Sequence, residues 1–246
     1  MLHLGPWIRM AALLIKPPLL LLTRRDWRGQ ENVPATGGVI LAPNHISHAD
    51  PLIFADYVIY GLRRVPRFMA KSSLFRGNGI VGRTMRGAHQ IPVYRRTADA
   101  SLALRDAVTA LQQGECVIIY PEGTVSRDPD KWPMQGKTGV ARLALLSGAP
   151  VIPIGQWGAQ RILDSYRRRG LRLLPPTRIS ISAGPPVDLS AYRDRELTAD
   201  VLRAATADVT RAITRLVEEL RGEPAPATVY VHDPRGGTAA QQRRSA

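Results

Sequence analysis

Three short runs, GVILAP (38–43), CVIIY (116–120) and PVIPIG (150–155), contain no charged residue and are rich in Val and Ile. A strand with one wet face alternates apolar and polar residues, whereas a run without alternation is covered on both faces, as in parallel sheets flanked by helices. Helical patterns stand between these runs. PLIFADYVIYG (51–61) opens on Pro and closes on Gly, as helices do. ADASLALRDAVTALQQG (98–114) places Leu104, Ala107, Val108 and Leu111 at helical spacing and ends on Gly114, and GKTGVARLALLSG (136–148) also reads as a helix. RFMAK (67–71) and HQIPVYR (89–95) read as short strands and RISISAG (178–184) as an alternating one. The strongest helix spans 198–221, with Leu202, Ala205, Val209, Ile213, Leu216 and Leu220 on one stripe and Thr198 at the N-cap. Strands alternating with helices predict a single layered α/β domain with a mixed, largely parallel sheet, whose sites lie at the carboxyl ends of its strands.

The expected division is an N-terminal helical segment at the membrane interface (1–30), one domain (31–221) and a flexible tail (222–246) rich in Pro, Gly, Ala, Gln and Arg. The N-terminal run WIRMAALLIKPPLLLLTRR is interrupted by Arg9, Lys16 and Pro17-Pro18. It reads as two short apolar segments, too broken to span a bilayer but suited to its surface through Trp7, Trp27, Arg24, Arg25 and Arg28. The alternative is a helical hairpin packed on the domain. One cysteine, Cys116, excludes an intrachain disulfide and a multi-Cys zinc site.

Lys and Arg outnumber Asp and Glu by 34 to 20, a formal charge of +14, which favours anionic partners. The segment between Asp56 and Asp99 holds Arg63, Arg64, Arg67, Lys71, Arg76, Arg83, Arg86, Arg95 and Arg96 without one acidic residue. It is expected to face phosphates. No helix-turn-helix, zinc finger or aromatic platform accompanies it, so nucleic acid is not the expected partner; an anionic membrane surface is.

The loop NHISHAD (44–50) follows the first apolar run. His45, His48 and Asp50 have metal-ligand chemistry, but H-x-x-H-x-D is neither H-E-x-x-H nor the pattern of a binuclear hydrolase, and no metal is expected. As an acid–base pair, His45 would take a proton from a hydroxyl while Asp50 fixes its tautomer, which requires the loop to fold back on itself. In YPEGT (120–124), Glu122 and the amides of Gly123 and Thr124 could hold a phosphate-bearing substrate, or form an ordinary turn.

Four blocks in this order, NHISHAD, GAHQIPVYR (87–95), YPEGTVS (120–126) and VIPIG (151–155), resemble the motifs of the 1-acylglycerol-3-phosphate acyltransferase family over about residues 30–190. The resemblance implies an enzyme moving a fatty acyl group from an acyl thioester to the free hydroxyl of lysophosphatidic acid. His45 would be the general base and Asp50 its partner, with no covalent acyl-enzyme and no cofactor beyond the donor, acyl-CoA or acyl-carrier protein. Arg95, Glu122, Gly123 and Thr124 would position the headgroup, with Lys71 and Arg96 as further candidates. Ile152, Pro153 and Ile154 would line the acyl side of the cleft, or form an ordinary core strand. The sequence departs from the family at Val125, where the motif has arginine, so that contact is absent or comes from Arg127, and the acceptor could be glycerol 3-phosphate or another lysophospholipid. A non-catalytic basic protein binding lipid or nucleic acid is the competing expectation. The enzyme would sit peripherally on the cytoplasmic face of the membrane.

Overall fold

The computed structural model describes residues 4–94, 100–166 and 176–232. Its elements are α1 (Pro6–Leu22), β1 (Thr23–Arg28), β2 (Val39–Pro43), α2 (Asp50–Asp56, continued by a π-turn over Tyr57–Gly61), β3 (Pro66–Lys71), α3 (Ile80–Gly87), β4 (Ile91–Val93), α4 (Ala100–Gln112), β5 (Cys116–Ile118), α5 (Gly139–Ser147), β6 (Val151–Trp157), α6 (Ala159–Ile162), β7 (Thr177–Ala183) and α7 (Ala199–Arg221). The strands form one sheet in the order β1-β7-β6-β2-β5-β3-β4. Every pairing is parallel except β6 with β7. The sheet is mixed and mostly parallel, as the unbroken apolar runs predict.

Alternate β2 side chains divide the core in two. Ile40 and Ala42 join the layer beneath α4, α5 and α7. Val39 and Leu41 join Phe54, Tyr57 and Ile162 beneath α2 and α6. Successive residues of a strand point to opposite faces, so a strand covered on both needs apolar residues throughout. Thr198 caps α7, its hydroxyl accepting the Val201 N–H at 3.3 Å.

The N-terminus differs from its sequence reading. Pro17 and Pro18 lie inside α1, which is one helix with no buried residue rather than two segments or a hairpin. Its last turn is held from the side: Leu19 packs on the α2 layer, the Lys16 ammonium lies 3.6 Å from the Tyr60 ring centroid, and the Thr23 hydroxyl donates to Leu19 O at 2.6 Å. Thr23–Arg28, which carries the expected flanking residues Arg24, Arg25, Trp27 and Arg28, is an edge strand paired with β7. Arg25 in it bonds Asp56 at 2.8 Å. At the other end, residues 223–232 are not loose. Ala225 N–H donates to Glu218 at 2.8 Å and Gln135 N–H to Tyr230 O at 2.9 Å, so this stretch is tied back to the domain.

Three arginines of the basic segment are engaged within the protein, while Lys71, Arg76 and Arg83 are exposed. Arg64 is buried and donates to the carbonyls of Pro34, Gly37 and Gly114. Arg67 pairs with Glu115 at 2.9 Å, and Arg86 donates to the carbonyls of Phe75 and Gly77. A guanidinium fork fits clustered carbonyls as well as phosphate.

Candidate active site

The carboxyl ends of β2, β5 and β6 converge, and the loop 44–50 leaves β2 there. It folds back on itself: His45 Nδ1 lies 2.8 Å from Asp50 Oδ2. The same oxygen accepts the N–H groups of Ile46 at 2.6 Å and Ser47 at 2.8 Å. Asp50 is 0% exposed, so its charge is stabilised by these donors rather than by water. A carboxylate accepts, so Nδ1 carries the proton, the tautomer that in a neutral imidazole leaves the lone pair on Nε2. The imidazole also stacks on Tyr120, centroids 4.3 Å apart and planes at 29°.

Glu122 acts on the same histidine from behind. Its Oε1 accepts the His45 N–H at 2.7 Å and its Oε2 the Met134 N–H at 3.1 Å. The carboxyl is buried, which pushes its pKa up to about 8 against the lowering effect of the two amides. Both oxygens are therefore directed at backbone, and Glu122 braces the loop rather than reaching toward open space. Gly123 adopts φ +66°, closing a turn in which its N–H donates to Tyr120 O at 3.0 Å. A β-carbon there would press on the Lys137 side chain. Thr124 follows, half-buried. Val125 is buried, and Ser126 N–H donates to His45 O at 2.6 Å, joining the two motif loops directly.

Sequence reasoning missed the clamp across β6. Asn44 Oδ1 accepts the Gln156 N–H at 2.8 Å, Asn44 Nδ2 donates to Gln156 O at 3.1 Å, and Gln156 Nε2 donates to Asn44 O. The asparagine at the head of NHISHAD was visible, but its partner lies 112 positions away. Ser47 Oγ donates to Leu163 O at 2.7 Å, and His48 N–H donates to Ser165 Oγ at 2.8 Å.

Of the other expected site residues, Lys71 is exposed at the carboxyl end of β3. Arg127 is exposed beside Ser126. Ile152 and Ile154 are fully buried core side chains and Pro153 is also buried, so all three sit in a packed strand. Arg95 and Arg96 lie outside the described residues. Among the described residues no group of three or more His, Cys, Asp or Glu could hold a metal ion.

A family model described as Acyltransferase matches residues 24–157. The 1-acyl-sn-glycerol-3-phosphate acyltransferase of Bacillus subtilis is 27% identical over 148 residues, 59% of this chain and 68% of that protein. The protein of the same description from Borreliella burgdorferi is 33% identical over 175 residues, 70% of this chain and 66% of that protein. The crystal structure of the 1-acyl-sn-glycerophosphate acyltransferase PlsC from Thermotoga maritima superposes with a TM-score of 0.64 at 24% identity, covering 89% of this chain and 81% of that one, a likeness of fold. The layered sheet and the family match over residues 24–157 define a transferase domain. The chain belongs to the acyltransferase family.

Proposed function

We propose that this chain moves a fatty acyl group from an acyl thioester to the free hydroxyl of lysophosphatidic acid, with His45 as general base. The supporting observation is the 2.8 Å contact between His45 Nδ1 and the buried Asp50. It leaves Nε2 basic and orients the ring. The acceptor hydroxyl oxygen attacks the thioester carbonyl while Nε2 takes its proton. The tetrahedral oxyanion then collapses, the carbon–sulfur bond breaks, and the thiolate leaves with the proton held by the imidazolium. The reaction consumes no cofactor beyond the donor, acyl-CoA or acyl-carrier protein. Cys116 is the chain's one sulfur nucleophile; it is buried in β5, where desolvation pushes its thiol up to about 12, so it does not compete as an acyl acceptor. Lys71 lies two strands from β2 at the same end of the sheet and adds positive charge for the headgroup.

The site works at a membrane surface, on the cytoplasmic face. No helix among the described residues is long and apolar enough to cross a bilayer. The support is α1, whose Leu13, Leu14, Leu20 and Leu21 are exposed, as are Ile80 and Val81 at the start of α3, apolar side chains suited to the interface.

The test is thiol release from an acyl thioester with lysophosphatidic acid as acceptor. Acceptor-dependent turnover should fall at least about a hundredfold in His45→Ala. Equal turnover in mutant and wild type removes His45 from the mechanism.

A further inference from the structure

Val125 occupies the position where the related motif carries an arginine. It is 1% exposed, so a cation for the acceptor must come from elsewhere. The next two residues show where. Ser126 is tied to His45 O, and Arg127 extends from it with its guanidinium carbon 3.9 Å from the centroid of the Tyr166 ring. The Lys131 ammonium reaches the same ring at 5.1 Å. The chain between them is curled by Asp128, whose Oδ1 accepts the N–H groups of Asp130 at 2.8 Å and Trp132 at 3.2 Å, and Lys131 takes φ +64°. A left-handed lysine is uncommon and is held only where its surroundings fix it. The effect is to bring two cations from one loop to one aromatic ring.

Tyr166 is fixed against both halves of the site. Its hydroxyl donates to Val125 O at 3.1 Å, its ring meets His48 edge-on at 6.4 Å, and the preceding Ser165 accepts from the His48 N–H. The ring is therefore a platform beside the His45–Asp50 loop. Lys131 is also paired with a carboxylate, its ammonium 3.8 Å from Asp164. Arg127 has no carboxylate within salt-bridge distance among the described residues, and its side chain is exposed. An arginine supported on an aromatic face with its N–H fork open is shaped for two oxygens of one phosphate.

We infer that Arg127 and Lys131, carried on the Tyr166 ring, bind the phosphomonoester of the acceptor and take over the contact that Val125 lacks; this rests on the acyltransferase reading above. The acceptor class follows. A dianionic monoester adds anionic oxygens for the open Arg127 fork with the Lys131 ammonium behind it, whereas a choline or ethanolamine headgroup brings a positive charge toward them. The enzyme should therefore favour lysophosphatidic acid over zwitterionic lysophospholipids.

The experiment is steady-state turnover in neutral detergent micelles, where surface charge plays no part, with lysophosphatidic acid and lysophosphatidylcholine of the same chain as acceptors. Arg127→Gln should raise KM for lysophosphatidic acid roughly tenfold, the scale of one charge-assisted hydrogen bond, with kcat within about twofold and KM for the thioester unmoved. Preference between the two headgroups should fall by the same factor. Arg127→Lys should restore most of it, Lys131→Gln should act in the same direction, and Tyr166→Leu should follow Arg127→Gln because the platform is lost. Unchanged KM and unchanged headgroup preference in the Arg127→Gln/Lys131→Gln double variant overturn the proposal. If wild type turns over neither acceptor, the acyltransferase reading has failed separately. Calorimetric binding of glycerol 3-phosphate then decides: weaker binding in the double variant supports the site, and equal affinity overturns it.

Discussion

At the scale of single residues, His45 is held from three sides: Asp50 on Nδ1, Tyr120 on the ring face and Glu122 on its backbone N–H. These supports separate in experiment. Asp50→Asn keeps the shape but replaces one acceptor oxygen by a donor, so the histidine loses its tautomer and the Ile46 and Ser47 amides lose part of their acceptor. Turnover should fall about 10²- to 10⁴-fold while the far-ultraviolet circular dichroism stays native; a loss under tenfold would mean the pair is only structural. Glu122 makes a different prediction. Its folded pKa is raised from 4.5 to about 8, so the folded state binds its proton more tightly than the unfolded state. The sign follows: this stabilisation is fully present below about pH 4.5 and is lost as pH rises through about 8. Thermal unfolding followed across that window should show stability falling by up to a few kcal/mol, and Glu122→Gln, which cannot ionise, should flatten the slope. An unchanged slope in the variant would show that Glu122 ionises as it does in the unfolded chain.

At the scale of elements, α1 depends on a glycine. Trp7 packs so closely on Gly87, the last residue of α3, that a β-carbon there would collide with the indole, while Arg83 from the same helix lies 5.5 Å from the Trp7 ring centroid. Gly87→Val should therefore push α1 off α3. The expected result is faster limited proteolysis at the Leu22–Thr23 junction of α1 with β1, with stability lowered by roughly 1–3 kcal/mol; unchanged proteolysis would mean that α1 is held from elsewhere. The same elements show what the sequence reveals and what it hides. The central strands β2, β5 and β6 were legible because burial on both faces leaves a continuous apolar run. The edge strand β1, TRRDWR, was not, because its charged side chains pair within the strand and with its neighbour β7: Asp26 takes Arg28 at 3.0 Å and Arg178 at 2.9 Å, a pattern with no apolar signature. Helix α3, IVGRTMRG, was hidden by its glycines. In the site, His45 and Asp50 were legible because five positions separate them. The Asn44–Gln156 clamp and the Tyr166 platform were not, since they join residues brought together only by the sheet.

At the scale of the whole molecule, the proposed membrane contact would rest on two terms. The first is apolar. Leu13, Leu14 and Leu21 are each about two-thirds or more exposed, Leu13 at 75%, and transferring one leucine side chain from water is worth about 1.5–3 kcal/mol. The second is the formal charge of +14, where each cation near an anionic surface adds about 1 kcal/mol that salt screens. The arginines spent on internal carbonyls and carboxylates, Arg64 and Arg67 among them, contribute less than their number suggests. The two terms respond differently to perturbation. Leu13→Glu/Leu14→Glu should weaken sedimentation with both phosphatidylcholine and phosphatidylglycerol vesicles, by roughly a hundredfold on the figure for two leucines. Raising salt should weaken only the phosphatidylglycerol binding. Neither side chain is part of the site, so turnover of micellar acceptor should stay within about twofold of wild type. Vesicle binding that survives the double substitution but vanishes in salt would place membrane contact on the charged surface and remove α1 from it.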